Sequence, residues 1–384
     1  MIKLIILLGL AAMALATTDS YGNHGRVIAN TTMQLLREAY NLGEDKNVVA
    51  SPLSFMILLA LFNSGAHQNE ITRFLGGPHF ESLYKNLSLT LSKQDAETLT
   101  VANKVYVASK YNLKESFTSA VQSFSCSEVD KLDFGNADAA AATINQWINE
   151  KTRGLIKNSI KSDTLSADIL TALFNVIYVK GHWEKPFHPE FTRNKDFHIS
   201  KDQVVQKPTM YKQEYLSYRE SPELGARLLG LRYKETSLEM VIVLPNEIDG
   251  LPSVLEKAAE KGIIDGALEK LNEFKSHVIV ELPKFEVRSS LDLNKIAPKL
   301  GLPNLFREPA SGLVEGGSVI LSKVFQDAFI KVDEKGTTAA AATAGQAGGI
   351  SLLIVTYQDF KVDHPFLYII KFEDKILFAG TYVH

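Results

Sequence analysis

The chain has 384 residues, 45% of them hydrophobic, and its 41 Lys and Arg against 44 Asp and Glu give a net charge of −3. This composition can bury a sizeable core, which excludes a disordered tail protein and a disulfide-stabilised miniprotein. The balanced charge argues against binding nucleic acid or an anionic membrane through overall charge. Cys126 is the only cysteine, so an internal disulfide and a cysteine-ligated zinc site are excluded.

Residues 1–16 have the pattern of a secretory signal peptide. Lys3 supplies the positive charge, residues 4–15 form an apolar stretch, and Ala14 and Ala16 provide the small residues of a cleavage site. The apolar stretch is shorter than the roughly 20 residues that a membrane-spanning helix needs. We therefore favour cleavage over a permanent membrane anchor.

Cleavage would leave a mature chain of residues 17–384 in the extracellular space. Two N-glycosylation sequons, at Asn30 and Asn86, fit this location. Both lie in segments with helical character, and each is a three-residue match. They are predicted glycosylation sites.

Helical periodicity dominates the first third of the chain. Apolar residues recur at helical spacing over residues 27–40, and Gly43 can end that helix. Pro52 is suited to open a second helix, which is apolar nearly all round and therefore buried. A further helix is predicted around Trp147, with its end near Gly154.

Strand patterns dominate the rest of the chain. Thr171–Val179 is β-rich and mostly apolar, which is typical of a central strand covered on both faces. Further strands are predicted at Glu239–Leu244, His277–Val287, Val319–Val332, Phe366–Phe372 and Ile376–Val383. Since no linker, repeat or charge block divides these parts, we predict one large α+β domain with helices early and long antiparallel sheets later.

Residues 336–358 form 23 consecutive positions without a charged residue, between two predicted strands. From Gly336 to Gly349 every residue except Gln346 is small, and there is no proline. A loop of this length within a compact domain is usually functional or disordered. A flexible linker is one alternative, although such linkers are normally polar. An Ala-rich helix is another, although its glycines would cut it short.

The same composition would let this segment enter a β-sheet. Alternate side chains would then point into a packed core: Thr337, Ala339, Ala341, Thr343 and Gly345. Small uncharged side chains can be buried there without overpacking or burying a charge. The absence of proline preserves the ladder hydrogen bonds. Composition alone supports sheet entry and a flexible loop about equally.

The stretch from Glu334 to Thr343 resembles the hinge of the reactive-centre loop in an inhibitory serpin. The hinge residues are Glu334, Gly336, Thr337, Thr338, Ala339, Ala340, Ala341, Ala342 and Thr343. Other stretches match serpin motifs in the same order along the chain, at residues 47–54, 174–187, 282–285, 364–366 and 376–380. The resemblance covers roughly residues 25–384, and the motifs together are specific.

The resemblance implies a single serpin domain with about three antiparallel β-sheets, about nine helices and an exposed loop. It implies a monomeric protease inhibitor, not an enzyme, that needs no cofactor and binds a target protease and neither nucleic acid nor a membrane. In serpins the target attacks the loop and forms an acyl-enzyme, and the cleaved loop then inserts into the large sheet. The native state is accordingly metastable and is held by a kinetic barrier.

By the same resemblance, residues 334–364 contain the hinge and the loop, with the scissile bond between Ile350 and Ser351. Glu334 should form an ion pair with Lys284 at the top of the large sheet. Trp183 should lie in the region where insertion begins, which is called the breach.

Serpins also have a polar cluster, called the shutter, under the strands that open. The resemblance assigns Ser51, Ser54 and Asn175 to it. Gln326 stands where the family usually has histidine. Gln can form the same kind of hydrogen bond but does not titrate near neutral pH, so we expect no histidine-based pH response there.

The loop sequence indicates the class of target. Residues 336–358 contain no Lys or Arg, so a trypsin-like pocket with a buried Asp is disfavoured. Ile350 suits an elastase-like pocket, and Leu352 or Leu353 would suit a chymotrypsin-like one. Cleavage after Ser351 would instead suit a papain-like cysteine protease. A non-inhibitory carrier serpin is a further alternative, although the small hinge residues argue for inhibition.

Overall fold

The computed structural model describes residues 25–95, 98–335 and 356–384. These ranges contain eight α-helices, fourteen β-strands and three short 3-10 helices. The α-helices are α1 (residues 25–42), α2 (Pro52–Ala66), α3 (Asn69–Phe74), α4 (Phe80–Ser92), α5 (Glu115–Gln122), α6 (Ala137–Lys151), α7 (Leu251–Ala258) and α8 (Ile263–Leu271). Among these described helices, none is both long enough and apolar enough to cross a membrane.

The helix predicted to begin at Pro52 is α2, and nearly all of its residues are buried. Pro52 is its first residue, where a missing N–H costs no helical hydrogen bond. The side chain of Ser51 caps the helix by accepting a hydrogen bond from the Ser54 N–H at 3.3 Å. Local sequence thus fixes the start of α2, and this end of the helix carries two of the predicted shutter residues.

A five-stranded sheet lies at the centre of the fold. Its strands are β2 (Leu99–Ala108), β3 (Ser127–Leu132), β4 (Thr171–Val179), β10 (Phe285–Asp292) and β11 (Lys323–Val332), in the order β10-β11-β4-β2-β3. Every residue of β4 is buried, which agrees with the prediction of a covered central strand. Strands β4 and β11 are parallel neighbours over eight residue pairs, from Ala172 and Lys323 to Val179 and Ile330.

Alternate side chains of β4 enter two different hydrophobic clusters, which explains why both faces of the strand are apolar. Leu173 and Ile177 join the large core that contains α2. Phe174 and Val176 join a smaller core with Trp147 of α6. The five-stranded sheet is therefore a layer between α6 and the body of the molecule.

The nine-stranded sheet contains the remaining strands. They are β1 (Val48–Ala50), β5 (Arg193–Ser200), β6 (Gln203–Ser221), β7 (Ala226–Arg232), β8 (Leu238–Pro245), β9 (Lys275–Pro283), β12 (Gln358–Lys361), β13 (Phe366–Phe372) and β14 (Lys375–Tyr382). Strand β6 is 19 residues long and pairs with β5 and β9 along its first part and with β7 along its last. If the nine-stranded sheet is divided where β6 changes partners, the described strands form three sheets, the number that the resemblance implies.

Most strand pairs are antiparallel, as expected, but β2/β3, β4/β11 and β9/β12 are parallel. Two parallel neighbours must be joined by a long crossover connection. In each of these three pairs, the chain passes through other helices or strands between the two paired strands. The sequence pattern of a buried strand does not specify its direction relative to its neighbours.

The prediction of a single strand over His277–Val287 was wrong. The structure has two strands there, β9 and β10, which belong to different sheets. Lys284 lies between them and donates its backbone N–H to Pro208 O at 2.9 Å. Buried residues alternate at even positions before Lys284, up to Leu282, and at odd positions after it, from Phe285. This change of phase marks the break, and the prediction of a single strand overlooked it.

Candidate functional site

A buried polar cluster joins β4 and β11 at mid-sheet. Gln326 of β11 lies directly opposite Asn175 of β4 and donates from Nε2 to Asn175 Oδ1 at 2.8 Å. The same amide accepts from the Ser51 N–H and donates to Ser51 O, both at 2.8 Å. Gln326 is fully buried, so its side chain ties together two strands and the start of α2.

The other predicted shutter residues lie in this cluster. The Ser51 hydroxyl donates to Leu377 O of β14 at 2.7 Å and lies 3.0 Å from the Ser54 hydroxyl oxygen. Asn175 donates from Nδ2 to Asn103 Oδ1 of β2 at 2.9 Å. Sequence reasoning missed Asn103, because one polar residue in an apolar strand has no distinguishing local pattern.

Glu334 lies at the carboxyl end of β11, and its side chain is 11% exposed. Lys284 Nζ lies 2.8 Å from its Oε2, and the Thr192 hydroxyl donates to its Oε1 at 2.8 Å. Burial alone would raise the pKa of Glu334, but hydrogen bonds from Lys284, Thr192 and the backbone outweigh it and lower the pKa. The Glu334 carboxylate therefore stays ionised, and each of its two oxygens has a polar partner, Lys284 or Thr192.

Residues 183–187 fix the chain that follows β11. The Trp183 indole donates to Asp333 O at 2.9 Å, and its backbone N–H donates to Lys335 O at 3.2 Å. The Phe187 N–H donates to Glu334 O at 2.8 Å. The Trp183 ring also stacks on Tyr233, with centroids 4.5 Å apart. These bonds hold the last three residues described before position 336.

A buried lysine lies next to this segment, and sequence reasoning missed it. Lys212 of β6 is 8% exposed, and its Nζ lies 4.2 Å above the Phe187 ring. Removal of its ammonium from water lowers the pKa of Lys212 to about 7, although Glu214 partly opposes the shift. The sequence of β6 around Lys212 is largely polar, as in an exposed strand, so it does not reveal that Lys212 is buried.

Several predicted site residues fall outside the described part of the chain. These are Gly336 to Thr343 of the hinge and both residues of the predicted scissile bond, Ile350 and Ser351. The predicted signal peptide, residues 1–16, also falls outside it. The description resumes at residue 356, just before β12.

The two predicted glycosylation sites both lie on helices. Asn86 is exposed on α4, whereas Asn30 is half-buried on α1. The Oδ1 of Asn30 is buried without a hydrogen-bond partner in the described structure. Asn86 is thus the more accessible of the two.

Comparisons with known proteins agree with this geometry. The family model described as Serpin (serine protease inhibitor) matches residues 26–384. The chain is 30% identical to Antichymotrypsin-2 of Bombyx mori over 361 residues, which covers 92% of this chain and 96% of the relative.

Solved structures give the same result. Serpin48 of the insect Tenebrio molitor is 32% identical, with a TM-score of 0.82 over 94% of this chain and 98% of the other. Human thyroxine-binding globulin is 26% identical, with the same TM-score and the same shares of the two chains.

The fold and these matches define a class of protein with a mixed α+β architecture that inhibits proteases and is not itself an enzyme. The chain belongs to the serpin family. The fold class expected from the sequence is thereby confirmed.

Replacing Gln326 with leucine should destabilise the protein by about 2–4 kcal/mol, because it leaves the Ser51 N–H and Asn175 Oδ1 buried without partners. The shift in urea unfolding midpoint measures this loss. Gln203→Leu is the matched control, since Gln203 is exposed at the start of β6. If both variants changed stability equally, the cluster would have no structural role.

Lys212 should make stability rise with pH. The unfolded chain keeps the proton up to a pKa near 10.5, whereas the folded chain releases it near pH 7. Between these values the unfolded state binds more protons, so the free energy of unfolding increases with pH, by up to about 1.4 kcal/mol per unit. Urea unfolding at pH 7.5 and pH 9 should show this increase in the wild type and its loss in Lys212→Met. Equal pH slopes in the two proteins would contradict it.

Proposed function

We propose that the protein is a secreted suicide inhibitor that traps its target protease as an acyl-enzyme and inserts the cleaved loop between β4 and β11. The observation that carries the proposal is the direct parallel pairing of these two strands. The loop follows the carboxyl end of β11 in the chain. If it turned back between the strands, it would run antiparallel to both.

Insertion would exchange one parallel pairing for two antiparallel ones. Parallel ladders are slightly less stable per residue, and the inserted strand would add a second full ladder of hydrogen bonds. The side chains that enter the core on one face, among them Thr337 and Ala341, are small and uncharged. The native state is thus higher in free energy than the inserted one and persists because a barrier separates them.

The barrier has identifiable parts. Opening the sheet between β4 and β11 breaks the Gln326–Asn175 hydrogen bond at mid-sheet. Entry of the hinge disturbs the bonds that residues 183–187 make to residues 333–335. We assign the first set to the shutter and the second, with the Glu334–Lys284 ion pair, to the breach.

The reaction begins when the protease nucleophile attacks the Ile350 carbonyl. The peptide bond to Ser351 breaks, Ile350 becomes the acyl group, and Ser351 becomes a new amino terminus. About fourteen residues of inserted strand at roughly 3.3 Å each carry the acyl-enzyme ~45 Å along the sheet. Distortion of the protease during this movement prevents deacylation by water.

The preferred targets are elastase-like or chymotrypsin-like serine proteases. Ile350, Leu352 and Leu353 are apolar, and residues 336–358 contain no cation for a trypsin-like pocket. The name of the Bombyx mori relative, Antichymotrypsin-2, agrees with an apolar specificity. A papain-like cysteine protease is the second candidate, because cleavage after Ser351 would place Ile350 where such enzymes favour an apolar residue.

A carrier function is the main alternative outside inhibition. The likeness to human thyroxine-binding globulin supports it, since that protein's name describes the binding of thyroxine. The hinge argues against it, because residues 336–343 contain no charge, no proline and no bulky side chain.

Secretion is part of the proposal. Residues 1–16 are a cleaved signal peptide, residues 17–384 are the mature, monomeric serpin domain, and Asn86 is the preferred glycosylation acceptor over Asn30. The support is the signal-like sequence and the exposure of Asn86 on α4.

Changes at inward-facing hinge positions should turn the inhibitor into a substrate. Thr337→Arg would bury a charge on insertion, and Ala341→Pro would remove a ladder hydrogen bond. We expect the yield of SDS-stable complex with an elastase-like enzyme to fall at least about tenfold, with cleaved inhibitor in its place. Thr356→Arg, beyond the scissile bond, is the matched control and should keep the complex. Full complex formation by both hinge variants would rule out loop insertion.

A panel of purified proteases should separate the target classes. We expect an SDS-stable complex with an elastase-like or chymotrypsin-like enzyme and none with trypsin. Mass spectrometry of the released C-terminal peptide should find Ser351 at its amino terminus. A complex with trypsin alone would refute the proposed specificity, and cleavage of the loop by every enzyme without any complex would favour the carrier function.

A further inference from the structure

The chain in and after α6 contacts strands on both sides of the β4–β11 pair. Lys151, the last residue of α6, forms an ion pair with Glu128 of β3 at 2.6 Å. Further along, the Ser159 hydroxyl donates to Asp327 Oδ1 of β11 at 2.5 Å. Strands β3 and β10 are the two edges of the five-stranded sheet, and β11 lies next to β10. Helix α6 and residues 157–160, here called the strap, therefore span the two strands that would separate for loop insertion.

The strap is bound to α6 at one end and to β10 at the other. Asn145 of α6 donates from Nδ2 to Ile160 O at 2.7 Å and accepts from the Ile160 N–H at 2.9 Å. Arg288 of β10 donates to Lys157 O at 3.0 Å. Since α6 is bound to β3 and the strap to β10 and β11, separation of β4 from β11 has to break one of these sets of contacts.

Asp327 is a buried carboxylate in a mostly apolar setting. It is 2% exposed, and its neighbours on the same face of β11 are Phe325 and Phe329. Its register partners are Val176 on β4 and Ser290 on β10. Burial raises the pKa of Asp327, although hydrogen bonds from two serine hydroxyls oppose the shift. Within the described ranges no ion pair offsets the free-energy cost of removing the ionised carboxylate from water.

Loop insertion, as proposed above, would change the surroundings of this carboxylate. The inserted strand would replace β4 as the neighbour of β11, at the usual strand spacing of ~4.8 Å. If Thr337 and the alternate residues after it point into the core, the residues that face the side of Asp327 are Thr338, Ala340 and Ala342. Such small side chains leave room for water beside the carboxylate. The charge of Asp327 therefore favours the inserted form, whereas the hydrogen bond from Ser159 favours the closed sheet, in which β4 and β11 are paired.

We propose that Ser159 and Asp327 set the rate of loop insertion. The Ser159 hydroxyl holds the strap on β11 and keeps the sheet closed, and the buried charge of Asp327 favours separation of β4 from β11 and release of the strap. The inference rests on the proposed inhibitory function and adds two positioning residues to it, outside the hinge, the breach and the shutter.

Uptake of a synthetic peptide with the sequence of residues 336–349 by the intact, full-length protein tests the proposal without a protease. The fluorescence anisotropy of a labelled peptide measures the rate, at pH 8 to keep the carboxylate ionised. Ser159→Ala should accelerate uptake at least about tenfold, because it removes a hydrogen bond to a charged group from the closed sheet. Asp327→Asn should slow uptake at least about threefold, because it removes the buried charge but keeps an acceptor for the Ser159 hydroxyl.

The opposite directions of these two effects separate the proposal from a purely structural role, in which loss of either side chain would loosen the sheet. Ser88→Ala is the matched control for Ser159→Ala, since Ser88 is 3% exposed and its hydroxyl donates to Ser125 O, outside the strap and the β4–β11 pair. It should lower the urea unfolding midpoint and leave the uptake rate unchanged. Asp202→Asn, at an exposed position between β5 and β6, is the control for Asp327→Asn.

Faster uptake by both Ser159→Ala and Asp327→Asn, or rates equal to those of the controls, would overturn the proposal while leaving loop insertion intact. If the wild type took up no peptide, loop insertion itself would fail, and this inference with it. Should one of the two variants not fold, the other decides against its own control.

Discussion

The pairing of β4 with β11 is the constraint on which the rest of this structure depends. The two strands are parallel and adjacent, and β4 is covered on both faces by separate hydrophobic clusters. These two strands can separate only if the hydrogen bonds between them and the side-chain contacts on both faces of the sheet break together. The polar contacts of Gln326 and Asp327 add to the interactions that hold these two strands together.

Polar contacts hold β11 from both faces of the sheet at neighbouring positions. Gln326 binds Asn175 and the backbone of Ser51 on the side of α2. Asp327, the next residue, accepts a hydrogen bond from the Ser159 hydroxyl at 2.5 Å, in the segment that follows α6. Since consecutive residues of a strand point to opposite faces, these two side chains anchor β11 to both layers around it. Movement of β11 therefore requires both layers to adjust.

The sequence predicted those parts of the fold that local patterns encode. Helix α2 follows from Pro52 and an apolar run, and β4 follows from its mostly apolar composition. The break at Lys284 was overlooked although the buried positions change there from even to odd numbers, a shift of phase that a single regular strand does not make. The Glu334–Lys284 pair came only from the family resemblance, since residues 50 positions apart share no local signal. Lys212 and Asn103 were missed because a single polar residue in a strand does not reveal which face it occupies.

The side chain at the centre of the polar cluster between β4 and β11 is Gln326, which does not titrate. A glutamine amide has the same charge throughout the physiological range, so the hydrogen bonds between β4 and β11 at mid-sheet do not change with protonation of that residue. Burial raises the pKa of Asp327, although hydrogen bonds from Ser159 and Ser290 oppose the shift, and burial lowers the pKa of Lys212 to about 7. Lys212 packs on Phe187, whose N–H binds the backbone of Glu334. Protonation of Lys212 near neutral pH therefore changes the charge next to Phe187 and the backbone of Glu334, whereas Gln326 carries no charge in either state.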